Sequence, residues 1–220
     1  MHRCWQYSVR ALAVCLALGA GYAAVAYPGS VNLIPCCDFV GPGSVRIAYE
    51  SDGIKQPFGK DYMEYLYTQF GIGERFECGV DFCDFGGITD KQYNAKYLLS
   101  VDNGRMPSVA LGAMNVGKLT KSSFYLVGCK DLSALRLHLG CQTSGGDTWV
   151  LIGADRAISK SLTLLADFQS GPGRCHTLGL YWQATPSIAA TVYCARNNTP
   201  EFRDDSDFVG LNVAYTFQMR

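Results

Sequence analysis

The stretch FVGLNVAYTF, residues 208–217, alternates large apolar side chains with small or polar ones. Its odd-numbered positions carry valine, leucine, valine, tyrosine and phenylalanine, whereas its even-numbered positions after the first carry glycine, asparagine, alanine and threonine. Successive side chains of a β-strand point to opposite faces, so one face of this segment is apolar and the other is small and polar. The segment therefore predicts a two-faced strand of about ten residues, long enough to cross a membrane at a tilt.

Blocks with the same alternation recur along the chain, and each is closed by Gly, Asp, Asn, Ser or Pro, which is typical of strands joined by hairpin turns. The predicted strands lie near 44–50, 61–70, 75–85, 93–102, 106–116, 122–130, 133–142, 147–156, 160–169, 175–184, 187–196 and 206–218. Twelve is an even number, which places both chain ends on one side of a membrane. The fold class predicted is all-β, an antiparallel up-and-down transmembrane β-barrel.

The predicted connections alternate in length, with long ones such as 51–60 and 197–205 between short ones such as 71–74 and 103–105. Long outer loops and short periplasmic turns are typical of outer-membrane barrels. A soluble barrel or a secreted soluble β-sandwich would turn the apolar faces inward, and strand periodicity alone does not separate these classes. Aromatic residues near strand ends predict an outer girdle, at Tyr62, Phe85, Tyr93, Phe124, Trp149 and Phe168, and a periplasmic one, at Phe70, Phe76, Trp182, Tyr215 and Phe217.

The amino terminus predicts export. Arg3 and Arg10 precede an apolar stretch, 11–26, that ends in Ala-Val-Ala and is shorter than the roughly 20 residues of a spanning helix. Residues 1–26 are therefore predicted to be a cleaved signal peptide, 27–43 a periplasmic or lumen-plugging segment, and 44–220 the barrel. The expected location is the cell outer membrane, with the secretion machinery and outer-membrane lipid as partners.

Two stretches resemble Gram-negative outer-membrane barrels. Residues 30–49 are similar to the plug and first strand of YjbH-like and small porin-like barrels, and residues 70–80 are similar to their recurrent periplasmic hairpin. Residues 208–217 resemble the carboxy-terminal signal read by the barrel-assembly machinery, although residues 218–220 follow the last aromatic side chain. The resemblance implies a generic barrel and names no substrate.

Charged side chains on the predicted polar faces are expected to line the interior: Arg46, Glu50, Glu64, Glu77, Asp81, Lys96, Arg136, His138, Asp155 and Asp167. If they leave a water-filled gap, the barrel is a narrow porin-like channel for small polar solutes. If they pair with one another, or residues 27–42 fill the gap, it is a non-conducting structural or interaction barrel that displays surface loops. A size between small filled barrels and large porins leaves both open, and the channel is favoured. With 19 basic and 19 acidic side chains, no nucleic-acid partner is expected.

Eight cysteines follow the predicted cleavage site, an even number that in an exported chain raises the question of disulfides. A turn centred near 131–133 would place Cys129 opposite about residue 135, away from Cys141, so most pairings are not expected. Cys36 and Cys37 are the candidates for a disulfide, to a partner or to Cys175 if the segment threads the lumen.

Catalysis and metal binding are not expected. After processing, the remaining histidines are His138 and His176, and a histidine that activates a nucleophile needs a hydroxyl and an orienting partner within reach. No sequence motif supplies these groups, and no Cys/His spacing fits a zinc site. The protein is expected not to be an enzyme and to need no cofactor.

Overall fold

A computed structural model describes residues 30–54, 63–84 and 89–219. In those ranges, twelve antiparallel strands each pair with their neighbours in the chain, and the first also pairs with the last. The strands are β1 (Ser44–Ile54), β2 (Met63–Ile72), β3 (Phe76–Asp84), β4 (Thr89–Ser100), β5 (Ser108–Val116), β6 (Ser123–Asp131), β7 (Arg136–Ser144), β8 (Asp147–Ala157), β9 (Leu162–Gln169), β10 (Cys175–Gln183), β11 (Ile188–Asn197) and β12 (Phe208–Gln218). The predicted up-and-down barrel is confirmed, and the closed sheet excludes a β-sandwich.

Two strands extend four residues beyond a predicted end. β1 continues to Ile54, and β4 begins at Thr89. β1 extends because all of it pairs with β12, up to the pair Ile54 and Phe208. A turn of 3-10 helix (Pro200–Phe202) and a one-turn helix, α1 (Arg203–Ser206), precede β12. Within the described ranges, no helix has both the length and the apolar character needed to span a bilayer. The predicted signal peptide, 1–26, lies outside the described residues.

The outer surface of the barrel is apolar. Large apolar side chains that point outward and are exposed include Ile47, Leu66, Leu111, Leu126, Leu137, Leu139, Val150, Ile152, Val192 and Val213. Their neighbours along each strand point inward and are largely polar or charged. A soluble protein hides such side chains, and a continuous apolar band of this extent matches the hydrocarbon layer of a membrane. Closure of the sheet pairs the strand edges, as a membrane-spanning sheet requires.

Trp149 departs from the predicted outer girdle. Val150 and Ile152 point outward, so the alternation of β8 turns Trp149 inward, where it is buried. The Arg174 guanidinium lies 3.7 Å from the centre of its ring. Tyr93, Phe124 and Phe168, by contrast, are exposed on the outer face, while Tyr62 and Phe85 lie outside the described residues.

The connections are less regular than predicted. The terminal end of the barrel, where β1 begins and β12 ends, also carries the connections 73–75, 101–107, 132–135, 158–161 and 184–187. At the opposite end, β7 and β8 are joined by Gly145 and Gly146 alone. Both glycines have positive φ, of 60° and 95°, which a two-residue hairpin turn requires. The seven-residue connection 101–107, at the terminal end, is instead held by side chains.

Asp102 anchors that connection and gives an acid-sensitive element. Its carboxylate accepts a 2.8 Å hydrogen bond from Lys130 Nζ and further ones from the amides of Gly104 and Asp131. These contacts, the one with Lys130 foremost, lower the pKa of Asp102 from 3.8 to about 2. The stabilisation is therefore complete above the ordinary pKa and is lost as the pH falls toward 2. A carboxyl-carbon NMR titration is expected to give a pKa near 2, and Lys130→Met should raise it toward 3.8; titration of the native protein near 3.8 would contradict this.

Residues 30–43, here called the inner segment, lie inside the barrel. At one end, the amides of Asn32 and Leu33 donate to Asp167 Oδ2 on β9, at 2.9 and 2.8 Å. At the other end, the Val40 amide donates to Glu77 Oε2 on β3, at 2.9 Å. The inner segment thus crosses the interior from β9 to β3 before it joins β1.

Apolar packing also holds the inner segment. Val31 and Ile34 are fully buried and belong to a cluster with Leu151 and Leu165, which point inward from β8 and β9. Two fully buried aliphatic side chains contribute about 3–6 kcal/mol relative to exposure. One sector of the interior is therefore an apolar core that the inner segment covers, while the remainder is polar.

Gly71 is the place where the wall leaves room for the inner segment. A Cβ on this inward-facing residue of β2 would overlap the backbone carbonyl oxygens of Val40 and Gly41. Gly71→Ala is expected to destabilise the barrel by about 1–3 kcal/mol, because the backbone must move. Gly128→Ala is the matched control, since a Cβ there meets nothing closer than 3.8 Å. Urea unfolding in lipid vesicles measures both variants, and equal stabilities would show that the inner segment does not pack on Gly71.

Candidate functional site: the barrel interior

The residues predicted to line the lumen mostly face the interior. Those placed there are Arg46, Glu50, Glu77, Asp81, Lys96, Arg136, His138, Asp155 and Asp167. Glu64 is the exception, because the register pairs Glu50 with Tyr65 and so turns Tyr65 inward and Glu64 outward. Glu64 accepts a hydrogen bond from the hydroxyl of Tyr49, which also lies on the outer face. The placement of Glu64 in the lumen is therefore wrong by one residue.

Two basic side chains of the wall bind the inner segment. Lys96 Nζ is 2.9 Å from Glu77 Oε1 and also donates to the backbone carbonyls of Cys36 and Asp38. Arg136 Nη1 lies 2.6 and 2.8 Å from the two carboxylate oxygens of Asp38. Lys96 and Arg136 are 3% and 8% exposed, so these contacts are shielded from solvent. The sequence indicated buried ion pairs, and the structure adds that one partner, Asp38, belongs to the inner segment.

Cys129, His138 and Asp155 form a row beneath the inner segment. His138 Nδ1 is 3.1 Å from Cys129 Sγ, and His138 Nε2 is 2.6 Å from Asp155 Oδ2. The three residues are each 1% exposed, and the Cys37 amide donates to the same Cys129 sulfur at 3.1 Å. A nucleophile must reach its substrate, and this sulfur is covered, so the row cross-links strands and does not form an open catalytic site. The other histidine, His176, forms a 3.2 Å hydrogen bond with Asn198 Oδ1 at the end of the barrel that lies away from the start of β1 and the end of β12.

No disulfide joins any two cysteines of the described ranges in the structure. Cys175 packs with Leu33 and Tyr193, in a cluster separate from the one that holds Cys36 and Cys37. The expected pairing with Cys175 is therefore not found. Cys37 instead contacts Cys129, whose sulfur accepts a hydrogen bond from the Cys37 amide. In the register of β6 and β7, Cys129 pairs with His138 and not with residue 135. That register follows from the turn at 132–135, which lies closer to β7 than the sequence indicated.

The polar remainder of the interior is a cavity of about 290 Å³ between the inner segment and the wall formed by β1 to β6 and β12. The charged side chains that line the cavity are Arg46, Glu50, Asp52, Glu77, Asp81 and Lys96. With two basic and four acidic groups, its formal charge is −2. A polar cavity of this size inside an apolar-surfaced barrel can hold water and small polar solutes.

Tyrosine and asparagine surround two of the carboxylates. The Tyr193 hydroxyl lies 3.2 Å from Glu50 Oε1 and 2.9 Å from Asp52 Oδ1, and so bridges the two side chains. The Tyr67 hydroxyl, at 3.2 Å, and Asn212 Nδ2, at 2.7 Å, also donate to Glu50. Asp52 was not among the residues predicted to line the lumen, because the first strand was predicted to end at residue 50. The inward alternation from Glu50 to Asp52 was the signal that could have revealed it.

A closed antiparallel sheet, an apolar exterior and a polar interior define the fold class of transmembrane β-barrels. No protein-family model and no curated protein matches the sequence. Solved structures do match. The KdgM porin superposes with a TM-score of 0.60 at 12% identity, over 79% of this chain and 99% of that chain. The KdgM porin in complex with disordered oligogalacturonate gives 0.56 at 11%, over 80% and 99%.

The outer-membrane protein Omp33 of Acinetobacter baumannii matches with a TM-score of 0.54 at 9% identity, over 81% of this chain and 100% of that chain. At such identities these likenesses establish the fold. The predicted barrel fold is thus confirmed and is similar to that of porins, while the outer-membrane location and the YjbH-like resemblance stay predictions.

Proposed function

We propose that the protein is a narrow outer-membrane channel for small polar solutes. The observation that carries the proposal is the 290 Å³ polar cavity enclosed by a barrel with an apolar exterior. Carboxylates, tyrosine hydroxyls and amides line the cavity and can replace the hydration shell of a small solute. The fold shared with the KdgM porin supports the same function.

The proposed topology places the terminal end of the barrel in the periplasm. Residues 1–26 act as the signal peptide in this proposal, and the mature chain begins at Tyr27. The outward side chains Leu139 and Ile152 contact the lipid chains, and the barrel-assembly machinery recognises β12. Tyr215 and Phe217 lie near the end of β12, on the exposed face, where an interfacial girdle is expected.

A non-conducting structural barrel is the second candidate, and the inner segment favours it. Lys96 and Arg136 tie the segment across the interior, and Val31 and Ile34 pack it into the apolar core. If the segment stays in place, the remaining gap is narrow, and the barrel then serves to display its loops. In the channel proposal, the same contacts narrow the pore, so a small conductance is expected.

Planar-bilayer recording separates the two candidates. Purified protein whose folding has been verified by heat-modifiable migration on a gel is expected to give stable unit steps of small conductance. Swelling of proteoliposomes in a small sugar should accompany the steps. Persistent silence and absence of swelling after verified insertion would overturn the channel and leave the structural barrel.

A further inference from the structure

We infer that the cavity selects small cations, including organic ammonium ions, over anions. The inference rests on the proposed channel function and concerns the charge of its solutes. It starts from the four acidic and two basic side chains of the lining.

The two basic groups do not neutralise the cavity. Lys96 is committed to Glu77, at 2.9 Å, and to carbonyl groups of the inner segment. Arg46 Nη1 donates to Gln69 Oε1 at 3.0 Å, and Arg46 lines the same cavity as Glu50, Asp52 and Asp81. Besides the Glu77–Lys96 pair, the lining therefore holds three acidic side chains and one guanidinium, a formal excess of two negative charges.

The excess charge lies on carboxylates that neutral groups hold. Among the described residues, no salt bridge within 4.0 Å reaches Glu50, Asp52 or Asp81. The Tyr193 hydroxyl contacts both Glu50 and Asp52, with the shorter distance, 2.9 Å, to Asp52 Oδ1, and Asn94 donates to Asp81 Oδ2. Phenol and amide donors orient a carboxyl group and add no positive charge to the cavity.

Asp81 gives an independent indication of a ligand. The residue is 5% exposed and lines the cavity, yet its Oδ1 atom has no hydrogen-bond partner among the residues that the structure describes. A buried charged oxygen without a partner is unfavourable by about 1–3 kcal/mol or more, so a donor from solution is expected to occupy this position. An ammonium or hydrated alkali cation supplies both the donor and the compensating charge.

The described residues do not form a fixed metal site. No group of three His, Cys, Asp or Glu within the described ranges is placed to hold a metal ion. The carboxylates are instead spread along the wall, from Glu50 and Asp52 on β1 to Asp81 on β3. Such spacing favours passage of a cation between several weak positions, as conduction requires.

The formal negative charge of the cavity is also unfavourable for a polyanionic solute. The KdgM porin was solved in complex with oligogalacturonate, a sugar chain that carries carboxylates. A cavity with a formal charge of −2 repels such a solute. The shared fold therefore does not extend to a shared solute class.

Reversal potentials across a bilayer in a potassium chloride gradient test the inference. The potassium-to-chloride permeability ratio is expected to be on the order of ten. The variant Glu50→Gln/Asp52→Asn/Asp81→Asn should bring the ratio close to unity. Glu64→Gln is the matched control, because it removes a carboxylate at the same height on the outer face.

The outcomes are distinct. Silence of verified, inserted protein overturns the channel, whereas conduction with anion preference, or a ratio that the triple variant does not change, overturns the charge selection.

Quenching of tyrosine fluorescence by caesium and iodide tests the cavity charge without conduction, since Tyr65, Tyr67 and Tyr125 line the cavity. Caesium should quench the wild type more than the triple variant, and iodide should do the reverse; equal quenching overturns the inference. Heat-modifiable migration verifies that each variant folds.

A second inference stands on other side chains: the geometry points to a disulfide between Cys37 and Cys129 in the exported protein. The Cys37 amide lies 3.1 Å from Cys129 Sγ, and Cys37 Sγ lies 3.5 Å from the carbonyl oxygens of Val127 and of Ser108, the residue that pairs with Cys129. His138 Nδ1, 3.1 Å from the same sulfur, can accept the proton when the thiol becomes the attacking thiolate. The bond would fix the inner segment to β6.

The oxidation proceeds by exchange with a disulfide of a thiol-oxidising protein in the periplasm. One cysteine thiolate attacks the acceptor disulfide and forms a mixed disulfide, and the second thiolate displaces the acceptor sulfur. The Cys37–Cys129 bond forms, the acceptor takes two electrons and becomes a dithiol, and the two released protons balance its thiols. This must occur before the inner segment is fully enclosed, since both cysteines are buried in the folded barrel.

Alkylation of the denatured, unreduced protein tests the disulfide. Six of the eight described cysteines are expected to react, and peptide mapping should recover a Cys37–Cys129 cross-linked fragment. Cys37→Ser should make Cys129 reactive, while Cys141→Ser, on the exposed face, should leave the cross-link intact. Reaction of all eight cysteines, or a cross-link through Cys36, overturns the inference.

Discussion

Leu139→Arg is expected to destabilise the membrane-inserted barrel by about 2–4 kcal/mol, the effect of an arginine at the bilayer midplane on a strand that faces lipid. Leu139 is 63% exposed and lies near the middle of β7, beside Gly128 and Ile152 on the neighbouring strands. An arginine there cannot reach either interface without distortion of the bilayer. Urea unfolding in vesicles of a short-chain phosphatidylcholine measures the loss of free energy.

The matched control lies in the same hairpin. Thr148 is exposed on the outer face and is the second residue of β8, close to the interface. Thr148→Arg is expected to change the free energy of unfolding by about 0–1 kcal/mol, because a charge at that depth stays hydrated. If both arginines had the same small effect, as in a soluble barrel, the exposed face would not contact lipid.

Lys96→Met is expected to destabilise the barrel by about 3–5 kcal/mol, since removal of one partner leaves a buried charge uncompensated. The substitution leaves the Glu77 carboxylate, which is 4% exposed, without its 2.9 Å partner. The carbonyls of Cys36 and Asp38 lose a donor as well. Unfolding measurements and hydrogen exchange at the amides of residues 36–40 should both report the loss.

A second substitution separates charge from packing. Lys96→Met/Glu77→Gln is expected to recover a large part of the stability, because the uncompensated charge is then removed as well. Lys91→Met, at an exposed position of β4, is the control and should have little effect. A double variant no more stable than Lys96→Met would contradict a dominant role for the buried charge.

Strand positions and faces followed from local alternation, whereas the contents of the interior depended on contacts distant in sequence. The period of two identified the inward set from Glu77 to Asp81 and the outward set around Leu139, because a lipid-facing strand must alternate. Glu64 and Trp149 were misplaced near strand ends, where a shift of one residue exchanges the faces.

The inner segment could be recognised as a candidate plug but not as a partner of particular wall residues. The contacts of Asp38 with Arg136 and of Asn32 with Asp167 join residues far apart in the chain. No periodicity or spacing rule specifies such pairs, since they arise only when the sheet has closed. The proximity of Cys37 to Cys129 has the same origin.

The pairing of β1 with β12 determines when the barrel can close during folding. Eleven residue pairs join the strand nearest the amino terminus to the strand nearest the carboxyl terminus. Contacts between such distant segments form slowly, because a long loop must close before they are gained. The inner segment precedes β1, so it must already lie within the curved sheet when β12 arrives. β12 thus encloses a segment that precedes all the other strands, and a chain truncated before residue 208 would keep the two edge strands unpaired and prone to aggregation.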